Sequence, residues 1–105
     1  MEKIYNKLVR DKIPEIIEND HKTCDIEILS DEKYLEMVDA KLDEELAEYH
    51  ADKNLEELAD LLEVLYAATI ARGHTIDELE SLRLKKREKR GGFDKKILLK
   101  SVTED

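Results

Sequence analysis

The chain has 105 residues, 43% of them charged, and a formal net charge of −9. That length bounds one domain, residues 1–105, with a single modest core, and the acidic balance argues against nucleic acid and anionic membrane as partners. Cys24 is the only cysteine, which excludes an internal disulfide and a thiolate zinc site. The opening Met1-Glu2-Lys3-Ile4-Tyr5 lacks an apolar signal region and no run of about 20 apolar residues could span a bilayer, so the expected location is the cytoplasm.

One Pro and three Gly are few breaks, which favours long helices. Asp11 is placed to cap a short helix through Glu15-Ile16-Ile17-Glu18, with Pro14 in its first turn, where a missing N–H is tolerated. Cys24-Asp25-Ile26-Glu27-Ile28-Leu29 alternates apolar and polar and reads as a short strand. Ser30 or Asp31 then caps a long helix to about His50, with Leu35, Val38, Leu42, Leu46 and Tyr49 as its apolar stripe. A third helix begins after Asn54, runs from Leu55 to about Arg72 and stops at Gly73. Thr75-Ile76-Asp77-Glu78 has the form of a capping box and opens a fourth, which carries the basic run Lys85 to Arg90 and breaks at Gly91-Gly92. Lys96-Ile97-Leu98-Leu99-Lys100 is a candidate second strand, able to pair with the first. The expected class is all-α: an antiparallel helical bundle with a central hairpin, plus a small two-stranded element from Cys24–Leu29 and Lys96–Lys100.

The third helix is apolar nearly all round: between Leu61 and Ala71 its only charged residue is Glu63. Such a helix is buried on several sides, and in so short a chain the missing cover points to a second subunit, hence a homodimer or higher homo-oligomer.

Four acids carry the chemistry. Glu45 and Glu48 are spaced i, i+3, as are Glu57 and Asp60, so each pair occupies neighbouring positions on a helix. In a hairpin turning near Asp52 and Lys53, Glu48 meets the level of Glu57, and Glu45 that of Asp60. Four carboxylates then converge where the natural occupant is a hard divalent cation. Glu57 and Asp60 also share a face with the small apolar residues Val64, Ala68 and Ala71, so they lose hydration and need a cation or a proton. A plainer reading stands beside this one: Glu57 follows Asn54 by three residues and fits a capping box, and Glu45 and Glu48 are two acids among 27.

Lys41-Leu42-Asp43-Glu44-Glu45-Leu46-Ala47-Glu48, followed after eight residues by Glu57-Leu58-Ala59-Asp60-Leu61-Leu62-Glu63-Val64-Leu65, resembles the Glu-x-x-Glu, Glu-x-x-Asp signature of the all-α NTP pyrophosphohydrolase (MazG-like) superfamily. Tyr5-Asn6-Lys7-Leu8-Val9-Arg10-Asp11-Lys12-Ile13-Pro14 and Lys86-Arg87-Glu88-Lys89-Arg90-Gly91-Gly92-Phe93 are similar to its phosphoribosyl-ATP pyrophosphohydrolase-like branch. The resemblance implies Mg²⁺-dependent hydrolysis of a nucleoside triphosphate, or a related nucleotide, to the monophosphate and pyrophosphate, with Mn²⁺ as a substitute ion and a house-cleaning role as one setting. Glu45, Glu48, Glu57 and Asp60 would hold the metal. Glu45 or its neighbour Glu44 would hold the attacking water, a weak base being enough for a metal-bound water.

The phosphates need cations, for which Arg10, Lys12, Lys41, Lys86, Arg87 and Arg90 are candidates. The basic run also suits a solvated helix C-terminus, where cations complement the dipole. Of the three histidines only His21 follows an acid, Glu18, at the Glu-x-x-His spacing, which argues against a di-iron bundle. Two alternatives to an enzyme remain on the same scaffold: a non-catalytic nucleotide- or metal-binding module, and a helical oligomerisation module.

Overall fold

The computed structural model describes residues 1–104, and four helices order them: α1 (Ile13–Asn19), α2 (Asp31–Asp52), α3 (Leu55–Ala71) and α4 (Ile76–Arg90). They fall into two compact units, Met1–His74 and the residues from Thr75 onward. The all-α class is as expected.

The helix boundaries follow local chemistry. Ser30 caps α2, its Oγ accepting from the Lys33 N–H at 3.2 Å. The helix closes at Lys53, whose left-handed backbone (φ 52°) lets its N–H reach the Tyr49 carbonyl at 2.7 Å. Asn54 immediately caps α3, with Oδ1 accepting from the Glu57 N–H at 2.9 Å. A two-residue connection between packed helices enforces an antiparallel hairpin. Past Ala71, Gly73 takes φ 87°, a conformation that suits glycine. At α4 both halves of the Thr75/Glu78 capping box form, each at 3.1 Å.

Two expectations fail. The cap of α1 is Lys12 rather than Asp11, and it makes no side-chain hydrogen bond; a turn from Arg10 to Ile13, closed by the Ile13 N–H on the Arg10 carbonyl at 3.0 Å, shifts the start by one residue. Neither expected strand forms: Cys24–Leu29 and Lys96–Lys100 have no regular structure, and no strand occurs among the described residues. A lone strand leaves its N–H and C=O groups without a ladder, and even a two-stranded ribbon is marginal in water. Lys96 also takes φ 60°, which breaks an extended run at its first residue.

The apolar interior is small. Val38, at 2% exposure, is the one fully buried hydrophobic side chain among the described residues, and it lies on the expected stripe of α2. On the same stripe Leu35, Leu42 and Tyr49 are half-buried, whereas Leu46 is exposed. On α3, Val64, Ala68 and Ala71 are half-buried, but Leu55, Leu58, Leu62, Leu65 and Ile70 are exposed, and no residue of this helix is fully buried. No helix among the described residues is long and apolar enough to cross a membrane.

Candidate metal centre

The hairpin assembles the site. Glu45 lies on the third turn from the end of α2, and Glu57 and Asp60 lie on the first two turns of α3. One carboxylate oxygen from each comes within 4.8 Å of the other two. Ligand oxygens around octahedral Mg²⁺ stand about 3–4 Å apart, so a small side-chain adjustment brings the three to coordination distance.

Two further observations separate this group from a solvated patch. Glu45 is the one buried polar residue among those described, at 7% exposure. Its Oε1 lies 3.3 Å from Lys41 Nζ, while its Oε2 is buried with no hydrogen-bond partner, as is Oε2 of Glu57. An unsatisfied buried oxygen forfeits its hydration without recompense, so a ligand that accepts lone pairs fits both atoms. Glu57 is also pushed above its ordinary pKa, first by desolvation and then by the charges of Glu48, Asp52, Asp60 and Glu45. It is held where a carboxylate is disfavoured unless a cation joins it.

The capping alternative for Glu57 is half right. Its backbone N–H does serve the Asn54 cap. Its side chain makes no return bond to the Asn54 N–H of the kind that Glu78 makes to Thr75, and it turns to the acidic group instead.

The remaining expected residues have distinct places. Glu48 is exposed and lies outside the three-carboxylate group, yet it is the charge that acts most on Glu57. Glu44 is half-buried, which alone would raise its pKa, but hydrogen bonds from Lys7 at 3.1 Å and Lys41 at 3.2 Å outweigh burial and hold it below the ordinary value. Lys41 thus bridges Glu44 and Glu45. Arg10 donates from Nη2 to Asp60 Oδ1 at 2.7 Å. Lys12 is exposed at the start of α1. Lys86, Arg87 and Arg90 are exposed residues of the second unit, where Arg87 pairs with Asp94 at 3.1 Å.

Lys7 escaped the sequence reading. It sits in an irregular stretch, so no helical spacing ties it to the acids, and only its place three residues before Arg10 hinted at a shared role. With Asn6, Lys41 and Glu44 it lines an open cleft of about 210 Å³ between the N-terminal segment and α2.

The fold and the site define a helical-hairpin protein with a three-carboxylate cluster that Lys41 and Arg10 contact at Glu45 and Asp60. No family model matches the chain, and no solved structure matches it. A stretch of 45 residues is 53% identical to an uncharacterized protein of Mycolicibacterium smegmatis. That match covers 43% of this chain and 46% of the relative, so the chain spans about half the length of the protein it resembles.

Proposed function

We propose that this protein is a Mg²⁺-dependent nucleotide pyrophosphohydrolase of the MazG-like kind, acting in the cytoplasm on a nucleoside triphosphate or related nucleotide. The observation that carries the reading is the convergence of Glu45, Glu57 and Asp60, two of them with a buried carboxylate oxygen that has no partner. Such a donor set suits a hard cation with oxygen ligands. Mg²⁺ held there supplies neutralisation of phosphate charge and polarisation of the phosphorus under attack.

The chain's own groups do the rest. Glu45, Glu57 and Asp60 hold the metal, with Glu48 at its edge. Glu45 or Glu44 accepts the proton of the attacking water; both lie beside Lys41, and for Glu44 the hydrogen bonds from Lys7 and Lys41 outweigh its burial and favour the ionised form. Arg10, Lys41 and Lys7 surround the acids with positive charge and meet the phosphates. Lys12 is a further candidate for that task. Water adds to phosphorus, the α–β anhydride bond breaks, and monophosphate and pyrophosphate leave.

A homo-oligomer belongs to the proposal. Leu55, Leu58, Leu62 and Leu65 are all exposed, and their three- and four-residue spacings place them within about 80° of one another on the helix. This stripe lies on the side of α3 away from Glu57 and Asp60, and a second copy covers it without blocking the acids.

The test is a nucleotide panel with Mg²⁺, in which inorganic pyrophosphatase converts released pyrophosphate to phosphate for colorimetric detection. Turnover that disappears in Glu57→Gln and Asp60→Ala supports the enzyme. Mg²⁺-dependent nucleotide binding without turnover supports a non-catalytic sensor. A chain on which neither Mg²⁺ nor nucleotides act is an oligomerisation module only.

A further inference from the structure

The segment before α1 brings two cations to the acidic residues of the hairpin. Lys7 bonds Glu44, and Arg10 bonds Asp60, a member of the three-carboxylate group. These cations differ from Lys41 in how they are held. Lys41 is half-buried on α2 and paired with two carboxylates of its own helix. Arg10 is exposed, and it belongs to a stretch that has neither helix nor strand. Its guanidinium can leave Asp60 without unfolding any element.

Asp60 therefore has two claimants. A dication among Glu45, Glu57 and Asp60 repels a guanidinium bonded to one of its ligands and draws on the same carboxylate charge. Glu45, nine-tenths buried with an unpartnered oxygen, marks where such an ion is needed, and no side-chain cation reaches that atom. The exposed Arg10–Asp60 pair is a weak competitor, of the kind that water and salt screen.

We propose that Arg10 is a resident counter-cation of this site, exchanged off Asp60 when a divalent cation binds and then free to grip a phosphate. The inference rests on the metal-centre reading above. The freed guanidinium offers a planar fork that matches phosphate geometry, so the exchange couples metal loading to anion recognition. Arg10 is a positioning residue in the metal-free chain and a phosphate contact in the loaded one.

The experiment uses the full chain. Mn²⁺ binding is measured by the loss of its free electron-paramagnetic-resonance signal. Arg10→Gln tightens binding about two- to fivefold, the weight of an exposed ion pair. Lys3→Gln, which removes a charge that lies over the Tyr5 ring at 5.0 Å, tightens it less. Phenylglyoxal labelling followed by peptide mass spectrometry reads the unaltered chain: Mg²⁺ speeds modification of Arg10, and inorganic pyrophosphate added with Mg²⁺ slows it again. Arg72, paired with Asp39 at 3.1 Å, serves as the internal reference. If the native chain takes up no Mn²⁺, the metal centre and the exchange both fall. If Mn²⁺ binds but Arg10 reactivity is unmoved and Arg10→Gln matches Lys3→Gln, the exchange alone is overturned. If Mg²⁺ exposes Arg10 and pyrophosphate gives no protection, the phosphate role is overturned.

Discussion

Glu45→Gln separates a cation site from acids gathered by packing alone. The amide keeps the volume of the carboxylate, so the contacts of α2 with α3 survive. Lys41 is not stranded by the change, because Glu44 still accepts from it at 3.2 Å. One charge also leaves a cluster whose members lie within 4.8 Å. Loss of the Lys41–Glu45 pair and relief of repulsion oppose each other, and the metal-free chain should shift by less than about 1 kcal/mol. The metal-loaded chain behaves differently. A cation at ten times its dissociation constant stabilises the folded state by about 1.4 kcal/mol. For a chain near this length, about 4–8 °C of melting temperature accompanies each kcal/mol, so Mg²⁺ should raise the native midpoint by roughly 6–11 °C. Glu45→Gln should lose most of that rise while keeping its midpoint without metal. The assay is thermal unfolding followed by circular dichroism, with and without Mg²⁺ at matched ionic strength. A variant that gains as much from Mg²⁺ as the native chain would falsify the assignment of Glu45 as a ligand.

The other predictions probe the surroundings of the site. Asn54→Ala removes the cap of α3 and should cost about 1 kcal/mol, seen as a melting point about 4–8 °C lower; an unchanged midpoint would mean that the cap contributes nothing. Leu58→Lys combined with Leu62→Lys should convert an oligomer to monomer in light scattering after size exclusion, and a native chain already monomeric at high concentration would end the oligomer proposal. The raised pKa of Glu57 fixes a sign: a carboxyl that holds its proton more tightly when folded stabilises below its unfolded pKa and loses that contribution as pH rises through the folded value. Without metal, chemical denaturation should therefore show the native chain gaining stability relative to Glu57→Gln as the pH is lowered from 7 towards the ordinary value of 4.5, and a difference that does not change with pH would refute the raised pKa. Glu44 works oppositely: Lys7 and Lys41 hold its pKa down, so its contribution is present above the ordinary value of 4.5 and is lost as pH falls from there through the lowered folded value.

The starts of α2, α3 and α4 are legible because each is written in local chemistry, whereas α1, whose cap Lys12 makes no side-chain bond, has no such mark. Ser30, Asn54, Thr75 with Glu78, and Gly73 act within four residues of themselves, and each does what its type predicts. The expected strand at Cys24–Leu29 does not form because alternation describes only half of a strand, and Lys96–Lys100, expected to pair with it, has no partner among the described residues either. Ile26 and Ile28 alternate as a half-buried strand should, but pairing is a non-local property, and nothing in the residues themselves supplies a neighbour. The same limit applies to the site. Register across a two-residue turn gathers Glu45, Glu57 and Asp60, and that register could be counted from the residues. That Glu48 stays exposed outside the group depends on how α2 rotates against α3, which spacing does not set. The cations Lys7 and Arg10 arrive on irregular chain, whose path no periodicity describes.

On the proposed reading, α3 carries two liabilities on opposite sides, and each has the form of a demand for a ligand. One side presents Glu57, destabilised as an anion, close to Glu45, whose buried oxygen has no partner. The other presents four leucines to solvent in a chain where, among the described residues, Val38 is the one fully buried hydrophobic side chain. A chain selected for stability alone would hold neither feature, because replacing an unsatisfied buried acid or an exposed leucine is an easy route to a more stable fold. A cation and a second copy, as proposed, would both bind the folded hairpin and not the unfolded chain, so each would shift the folding equilibrium by mass action. Because both act through the same short helix, metal occupancy and self-association stabilise one element from two sides. The hairpin is then most rigid when both are bound, the state in which three carboxylates must hold their positions against a phosphate's charge.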